Sequence, residues 1–344
     1  MLDDLKYIHQ RDAQDALGIA EKQGSQLEYA FPTSNFQLPT AGIENVVFAG
    51  MGGSALFALL GQTWPGYGQP FEISRGYGIP AYVSEKTLFF ASSYSGNTEE
   101  TLSALAAAEE RGAQVVVITS GGKLAERAQE KNYPLALLPA GYQPRHATLF
   151  GLKALLTVLD QVGVTEGKAA ELTGLAGFVQ TATQAWRPDI PTKDNYAKQL
   201  ALELMGKSPV VYAGPLLFPA AYKWKISFNE NAKNIAWCNQ YPEFNHNEFL
   251  GWTSHPTDKP YGVIDLRSSF EHERVQKRFV VSERLLSGKR PAPLVVNAQG
   301  ETLLEHLLWT VALGDFVSLY LALLNGLNPT PVDLIEKFKT ALDD

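Results

Sequence analysis

Short apolar runs alternate with longer segments of helical periodicity along most of the chain. After an N-terminal helical stretch to about Tyr29, the runs Asn45–Gly50, Phe71–Ser74, Thr87–Ser92, Gln114–Thr119 and Leu135–Leu138 are β-branched or aromatic and nearly continuous in apolar character. Strands buried on both faces read that way. Between them Thr98–Arg111 is rich in helix formers with acids in its first turn, and Leu149–Val162 carries apolar residues at helical spacing. The alternation predicts a parallel sheet wound by crossover helices. From Gly163 to Asp194 the chain is polar and helical and reaches Arg187-Pro-Asp-Ile-Pro-Thr192, a connection between domains. Beyond it the rhythm restarts, with strands expected at Ser208–Gly214, Tyr261–Asp265 and Pro293–Asn297. Val46-Val-Phe-Ala-Gly50 and Val210-Val-Tyr-Ala-Gly214 echo each other, each running into a helix, which suggests duplication. The expected fold is α/β: two three-layer αβα domains, residues 1–164 and 165–344, each with a mainly parallel, doubly wound sheet.

Composition narrows the partners. With 29 basic and 36 acidic residues the net charge is −7, and no Lys/Arg block interrupts it, so nucleic acid and anionic membrane are poor partners. A single cysteine, Cys238, and the lack of a Cys/His cluster at zinc spacing point to a cytoplasmic chain without structural metal. The acidic, amphipathic start is unlike an export signal. The most hydrophobic stretch, Leu307–Leu327, is interrupted by Gly314, Asp315, Ser318 and Asn325. It reads as a buried core or dimer-interface helix rather than a membrane span.

The candidate chemistry lies where strands become helices. Gly50-Met-Gly-Gly-Ser54 puts Gly52 and Gly53 at a strand-to-helix turn, where backbone N–H groups can approach an anion; tight packing is the alternative reading. The spacing matches neither G-x-G-x-x-G nor a Walker loop. The third strand ends in Ser92-Ser-Tyr-Ser-Gly-Asn-Thr98, so the hydroxyls of Ser93, Ser95 and Thr98 reach the same sheet edge. Ligands of doubly wound sheets sit at that edge, and phosphate suits neutral donors beside helix N-termini. Asn97 or Thr98 is expected to cap the next helix. Thr119-Ser-Gly-Gly122 repeats the strand-glycine-helix turn.

Together with Pro144-Arg145, Phe228-Asn-Glu-Asn-Ala-Lys233 and Pro242-Glu-Phe-Asn-His-Asn-Glu248, these motifs resemble, in order along nearly the whole chain, the bifunctional phosphoglucose/phosphomannose isomerases. These enzymes are built from two sugar-isomerase (SIS) domains. The resemblance implies a metal-free, cofactor-free aldose-ketose isomerase of hexose 6-phosphates, dimeric, with each site borrowing a histidine from the partner subunit. It implies that Ser54, Ser93, Ser95 and Thr98 hold phosphate, with the Gly52 and Gly53 amides near the sugar. Arg145 would stabilise the enediolate and Glu230 would shuttle the proton between C1 and C2. His246 and a lysine near the C-terminus would assist ring opening.

The chemistry of each residue bears on these roles. Proton transfer next to a carbonyl needs a carboxylate tuned by partial burial, and Glu230, on a helix expected from about Pro219, shares a line with Ile226 and Tyr222. A solvated Glu among Asn229, Asn231 and Lys233 is the bland alternative. Arg145 is either an oxyanion clamp or a surface arginine. His246, flanked by Asn245 and Asn247, titrates near neutrality, whereas His9, His146, His255, His272 and His306 read as structural or surface residues. The last helix is expected to start with Thr330 as N-cap and Pro331 at N1. Val332, Ile335, Lys339 and Leu342 then share a face that turns Lys339 inward and Lys337 away, favouring Lys339 as the ring-opening lysine. The threonine that the family associates with mannose turnover has no obvious counterpart in register; Thr330 is the nearest. Two rivals stay open: another SIS enzyme acting on an amino-sugar phosphate, and a non-catalytic sugar-phosphate sensor.

Overall fold

The structure is a computed structural model that describes residues 1–34, 42–254 and 260–343. Among the histidines, His255 lies outside the described residues. The chain forms two compact units, Gln23–Phe178 and Met1–Lys22 with Val179–Asp344. The division differs from a cut at residue 164 in two ways. The first unit extends through the helices Lys168–Gly174 and the start of Ala176–Gln184, and the first 22 residues belong to the second. Hydrogen bonds explain the second difference. The buried Lys198 ammonium donates to the carbonyls of Leu2 (2.7 Å), Pro188 (2.8 Å) and Ile190 (2.8 Å), and Tyr7 Oη donates to Leu323 O at 2.7 Å.

The Gln23–Phe178 unit holds β1 (Thr33–Ser34), β2 (Asn45–Ala49), β3 (Phe71–Ser74), β4 (Thr87–Ser93), β5 (Gln114–Thr119) and β6 (Leu135–Leu137). Their order is β1-β6-β5-β4-β2-β3, parallel throughout except β1 against β6. Side chains alternate between two covered faces, as parallel strands require. Val47, Phe89 and Val117 pack with Leu105 and Leu124 of the helices Glu99–Glu110 and Gly122–Lys131. Phe48 turns the other way, edge-on to Phe57 of Gly52–Thr63 with ring centroids 5.3 Å apart. Gly151 lets the helix Thr148–Gln161 onto that ring, since a Cβ there would lie 2.1 Å from Phe57 Cδ1. The two-residue β1 makes this sheet one strand wider than its apolar runs predict.

The other unit holds β7 (Ser208–Ala213), β8 (Trp237–Gln240), β9 (Tyr261–Arg267) and β10 (Leu294–Asn297), ordered β10-β9-β7-β8 and fully parallel. Both sheets repeat one scheme. The first strand is followed by its outer neighbour, then the chain crosses to the first strand's other side: β2, β3, β4, β5 in one and β7, β8, β9, β10 in the other. The duplication suggested by the glycine-ended strands is thus visible in topology. β8 (Trp-Cys-Asn-Gln) escaped prediction because an edge strand need not be apolar.

Leu303–Leu324 is the central helix of this unit. It is long and apolar enough to cross a membrane, but 94 % of its most apolar 18-residue window is buried inside the fold. The core reading holds, and the expectation of apolar surface on it for a dimer is corrected: the helices Tyr196–Leu204 and Phe218–Glu230 already cover it. Its polar interruptions have partners. Asp315 receives the Lys223 ammonium and the Ser227 hydroxyl, and a Cβ on Gly314 would stand 2.2 Å from Trp224 Nε1.

The last helix spans Asp333–Asp343, two residues later than a Thr330 cap implies. Leu334, Ile335, Phe338 and Leu342 are 82, 43, 63 and 58 % exposed, so among the described residues the helix covers no apolar face of its own chain. Lys339 therefore does not point inward; its ammonium sits at the surface, 2.8 Å from Glu336 one turn back.

Candidate functional site

In the first sheet the strand order reverses between β2 and β4, and a doubly wound sheet binds its ligand outside the carboxyl ends of such a pair. Gly50–Ser54 and Ser93–Thr98 leave those two ends. Ser93 Oγ is the hub of a hydroxyl cluster, 2.7 Å from Thr98 Oγ1 and 3.3 Å from Ser95 Oγ, and it accepts the Gly96 N–H at 3.1 Å. Ser93 is buried while Ser95 is exposed, so the cluster runs from the sheet to the surface. Thr98 is the N-cap residue of Glu99–Glu110 but makes no capping bond, which corrects the capping expectation. Asn97 does cap, but a different helix: its Oδ1 accepts Lys123 N–H at 3.1 Å. The hydroxyl a cap would use is turned toward Ser93 instead.

Two glycine turns lock this loop. Gly96 has φ +72°, and a Cβ there would stand 1.8 Å from Gly121 O; Gly122 has φ +68°, and its Cβ would meet Ser95 O at 2.4 Å. Thr119–Gly122 is thus the wall of the Ser93–Thr98 loop. Tyr94, a residue the sequence did not single out, ties in the rest. Its N–H donates to Ser54 Oγ (2.8 Å), its hydroxyl donates to Pro139 O (2.6 Å) and accepts from Tyr142 N–H (2.9 Å), and its carbonyl accepts the Ser120 hydroxyl (2.6 Å). An aromatic at a strand end is an ordinary core signal, and nothing local marks it as a clamp.

The two glycines after β2 do different things. Gly52 opens Gly52–Thr63 at φ +48°, exposed, with open space where its Cβ would be. Gly53 is a packing glycine: a Cβ would lie 2.8 Å from Pro144 C and 2.9 Å from Arg145 N. It thereby seats the single turn Pro144–His146 against the start of this helix. Arg145 is fully buried, with Nη1 3.3 Å from Gln143 Oε1, so the surface-arginine reading falls. A buried guanidinium is held for a reason of charge. The unit brings Gly52, Gly53, Ser54, Ser93, Ser95 and Thr98 to one edge, with the Arg145 turn packed on Gly53.

The other unit carries the remaining candidates. Glu230 is the last residue of Phe218–Glu230 and half-buried. Its neighbours are fastened: Asn231 Nδ2 donates to Ser318 Oγ (2.9 Å), Asn229 Nδ2 to Asn234 O (2.9 Å), and the Lys233 ammonium to the carbonyls of Asn328 and Pro329 (both 2.9 Å). Glu230 is not one of a solvated row, because the residues around it hold the helix end in place. His246 is exposed at the end of the turn Glu243–His246, which is anchored from beneath. Phe244 is fully buried against Tyr212 and Tyr241; Asn245 donates to Ser282 Oγ (2.9 Å) and accepts from Arg278 (3.1 Å). Glu248 accepts from the Tyr212 hydroxyl and from Asn239 Nδ2 at 2.6 Å. A rigid base thus presents the imidazole outward.

Comparison with known proteins agrees with this division. Residues 41–137 match the family described as SIS domain, and residues 193–342 the family described as bacterial phospho-glucose isomerase C-terminal SIS domain. A bifunctional phosphoglucose/phosphomannose isomerase of Caldicellulosiruptor bescii is 34 % identical over 309 residues, covering 87 % of this chain and 90 % of its own. The chain belongs to that family. A D-glucosamine-6-phosphate 4-epimerase of Sulfolobus acidocaldarius is also similar, 36 % identical over 61 % of this chain and 65 % of its own. Among solved structures, a glucose-6-phosphate isomerase like protein from Thermus thermophilus superposes with a TM-score of 0.68 at 18 % identity, covering 98 % of both chains, and shows the family's fold.

Proposed function

We propose that the chain interconverts glucose 6-phosphate and mannose 6-phosphate with fructose 6-phosphate by proton transfer through an enediolate. The observation that carries the phosphate half is the hydroxyl cluster of Ser93, Ser95 and Thr98 at the switch point, with Thr98 turned away from the capping role its position offers. Three hydroxyls and two helix starts satisfy a phosphate without metal. Ser54, Ser93, Ser95 and Thr98 hold the phosphate, with the Gly52 and Gly53 amides beside the sugar. Binding the non-reacting phosphate fixes the open chain so that one carboxylate reaches both C1 and C2.

Glu230 is that base: it takes the proton from C2 of the aldose and returns it to C1. Arg145 holds the oxyanion that develops between them; its burial preserves full charge strength where water would screen it. His246 moves a proton to and from the ring oxygen, and Lys339, or Lys337 two residues before it, assists. The active form is a cytoplasmic homodimer in which His246 serves the partner's site, a reading supported by its outward presentation on an anchored turn.

The test is fructose 6-phosphate formation from each aldose in EDTA, with Glu230→Gln as control. Turnover of both, abolished by the variant, is the expected result; turnover of neither refutes the reading. The Sulfolobus relative favours a second reading, an amino-sugar 6-phosphate substrate, which product analysis with glucosamine 6-phosphate separates.

A further inference from the structure

The repeated strand order gives the second sheet a switch point of its own, between β7 and β9. There the chain leaves β7 through Gly214–Leu217 and β9 through Ser268–His272. An anionic group already occupies the place. Glu271, only 5 % exposed, reaches from the β9 loop to the turn that enters Phe218–Glu230. Its Oε1 accepts the N–H of Leu216 at 2.8 Å and of Leu217 at 3.3 Å. Gly214 leaves the room: a Cβ there would stand 2.3 Å from Glu271 Cδ.

The neighbouring helix starts at this edge are closed from within as well. His272 Nδ1 accepts the Arg274 N–H at 3.1 Å, and Thr302 and Glu305 form a capping box on Leu303–Leu324. At the first switch point the N-cap residues Met51 and Thr98 make no side-chain cap, and only the next helix start, beyond β5, is capped, by Asn97. The first sheet leaves the two helix starts at its switch point without a cap from their own N-cap residues; the second fills its two with Glu271 and His272.

We infer that the β7/β9 edge is the counterpart of the phosphate cradle, closed by the Glu271 carboxylate standing where phosphate oxygens would stand, so that each chain binds one sugar phosphate and not two. Carboxylate and phosphate offer the same chemistry to a backbone N–H pair, an anionic oxygen at a helix start. Burial raises the Glu271 carboxyl above its ordinary value, and the Leu216 and Leu217 amides pull it part of the way back.

The inference rests on the phosphate reading of the first edge, and the experiment separates the two. Inorganic phosphate is titrated into the full-length protein while backbone amide resonances are followed. In the wild type the amides of Gly53, Ser54 and Ser95 are expected to shift with one phosphate per chain, while Leu216 and Leu217 stay silent. In Glu271→Ala, Leu216 and Leu217 should shift saturably and the stoichiometry should rise to two. Glu271→Gln, which keeps the shape of the plug, should behave as the wild type. A folded Glu271→Ala protein whose Leu216 and Leu217 amides ignore phosphate overturns the inference. So do two phosphates per wild-type chain, a measurement that stands even where the alanine variant fails to fold. Silence at Gly53, Ser54 and Ser95 would instead sink the phosphate reading, leaving the Leu216 and Leu217 response to decide the plug.

Discussion

Lys223 and Asp315 form an ion pair between two core helices, each about 1 % exposed, and removing either side chain alone should be severe. The Asp315 carboxylate also receives the Ser227 hydroxyl at 3.1 Å, while the Lys223 ammonium bonds Ser227 Oγ at 3.2 Å, so the pair is satisfied within the core. Asp315→Leu strands a buried ammonium and Lys223→Met a buried carboxylate, each costing about 3–5 kcal/mol. In a folding unit of this size one kcal/mol moves the melting temperature by about 2–4 °C, so either variant should melt roughly 6–20 °C lower. The double variant replaces the pair by apolar groups of similar volume and should return to the wild-type melting temperature or pass it. Calorimetry on all four proteins completes the cycle. If the double variant melts as low as the worse single one, the loss comes from packing and the charge argument fails. Activity adds a second readout: Ser318, whose hydroxyl bonds Asp315 O at 2.8 Å, also holds Asn231 beside Glu230. A double variant with restored stability and lowered kcat would assign the network a part in placing the base.

Four further outcomes are expected. Thr98→Val removes a hydroxyl that makes no capping bond, so stability should fall by no more than about 1 kcal/mol while KM rises roughly 10- to 100-fold, the worth of one hydrogen bond to a charged group; a fall in melting temperature with KM unchanged would contradict the cluster's role. Gly53→Ala drives a Cβ into the Pro144–Arg145 backbone and should lower kcat and cost about 1–3 kcal/mol, whereas Gly52→Ala meets open space and only the strain of φ +48°, about 1 kcal/mol; equal effects would refute the distinction. Burial pushes the Cys238 thiol up to about 11, so alkylation of the native protein at pH 8 should run about a hundredfold slower than for a thiol at the ordinary value of 9.0, and fast labelling would refute that burial. Burial lowers the His306 pKa below its ordinary 6.5 while the ring bridges Ser268 and Gly300, so the unfolded chain binds the proton first. The stability it gives is then complete above pH 6.5 and lost as pH falls below it, and His306→Asn should flatten that acid limb in urea titrations at graded pH.

What could be foreseen from the chain follows from how local each cause is. The strand-glycine-helix turns and the three hydroxyls were legible because they depend on a few consecutive residues and on the rule that ligands meet the carboxyl edge of the sheet. The role of each residue inside the turn was not. Whether Thr98 caps its own helix or joins Ser93 is decided by a rotamer, and the deciding partner stands five residues back on β4. The apolar stretch Leu307–Leu327 reads as a buried core or interface helix, and only the fold shows that neighbours in its own unit do the burying. The same limit misled the reading of Lys339: spacing shows which residues share a helix face, and only tertiary contacts decide which face is covered. Arg145 and Glu271 mark the far end of this scale. Both are charged residues in loops, for which exposure is the ordinary expectation. Each is instead buried by glycine-made room just beyond another strand, Gly53 in the first turn of Gly52–Thr63 for the turn that carries one and Gly214 after β7 for the carboxylate of the other. A glycine that ends a strand is therefore most informative when read with the charged residue that fills the space it leaves, and that pairing exists only in the folded chain.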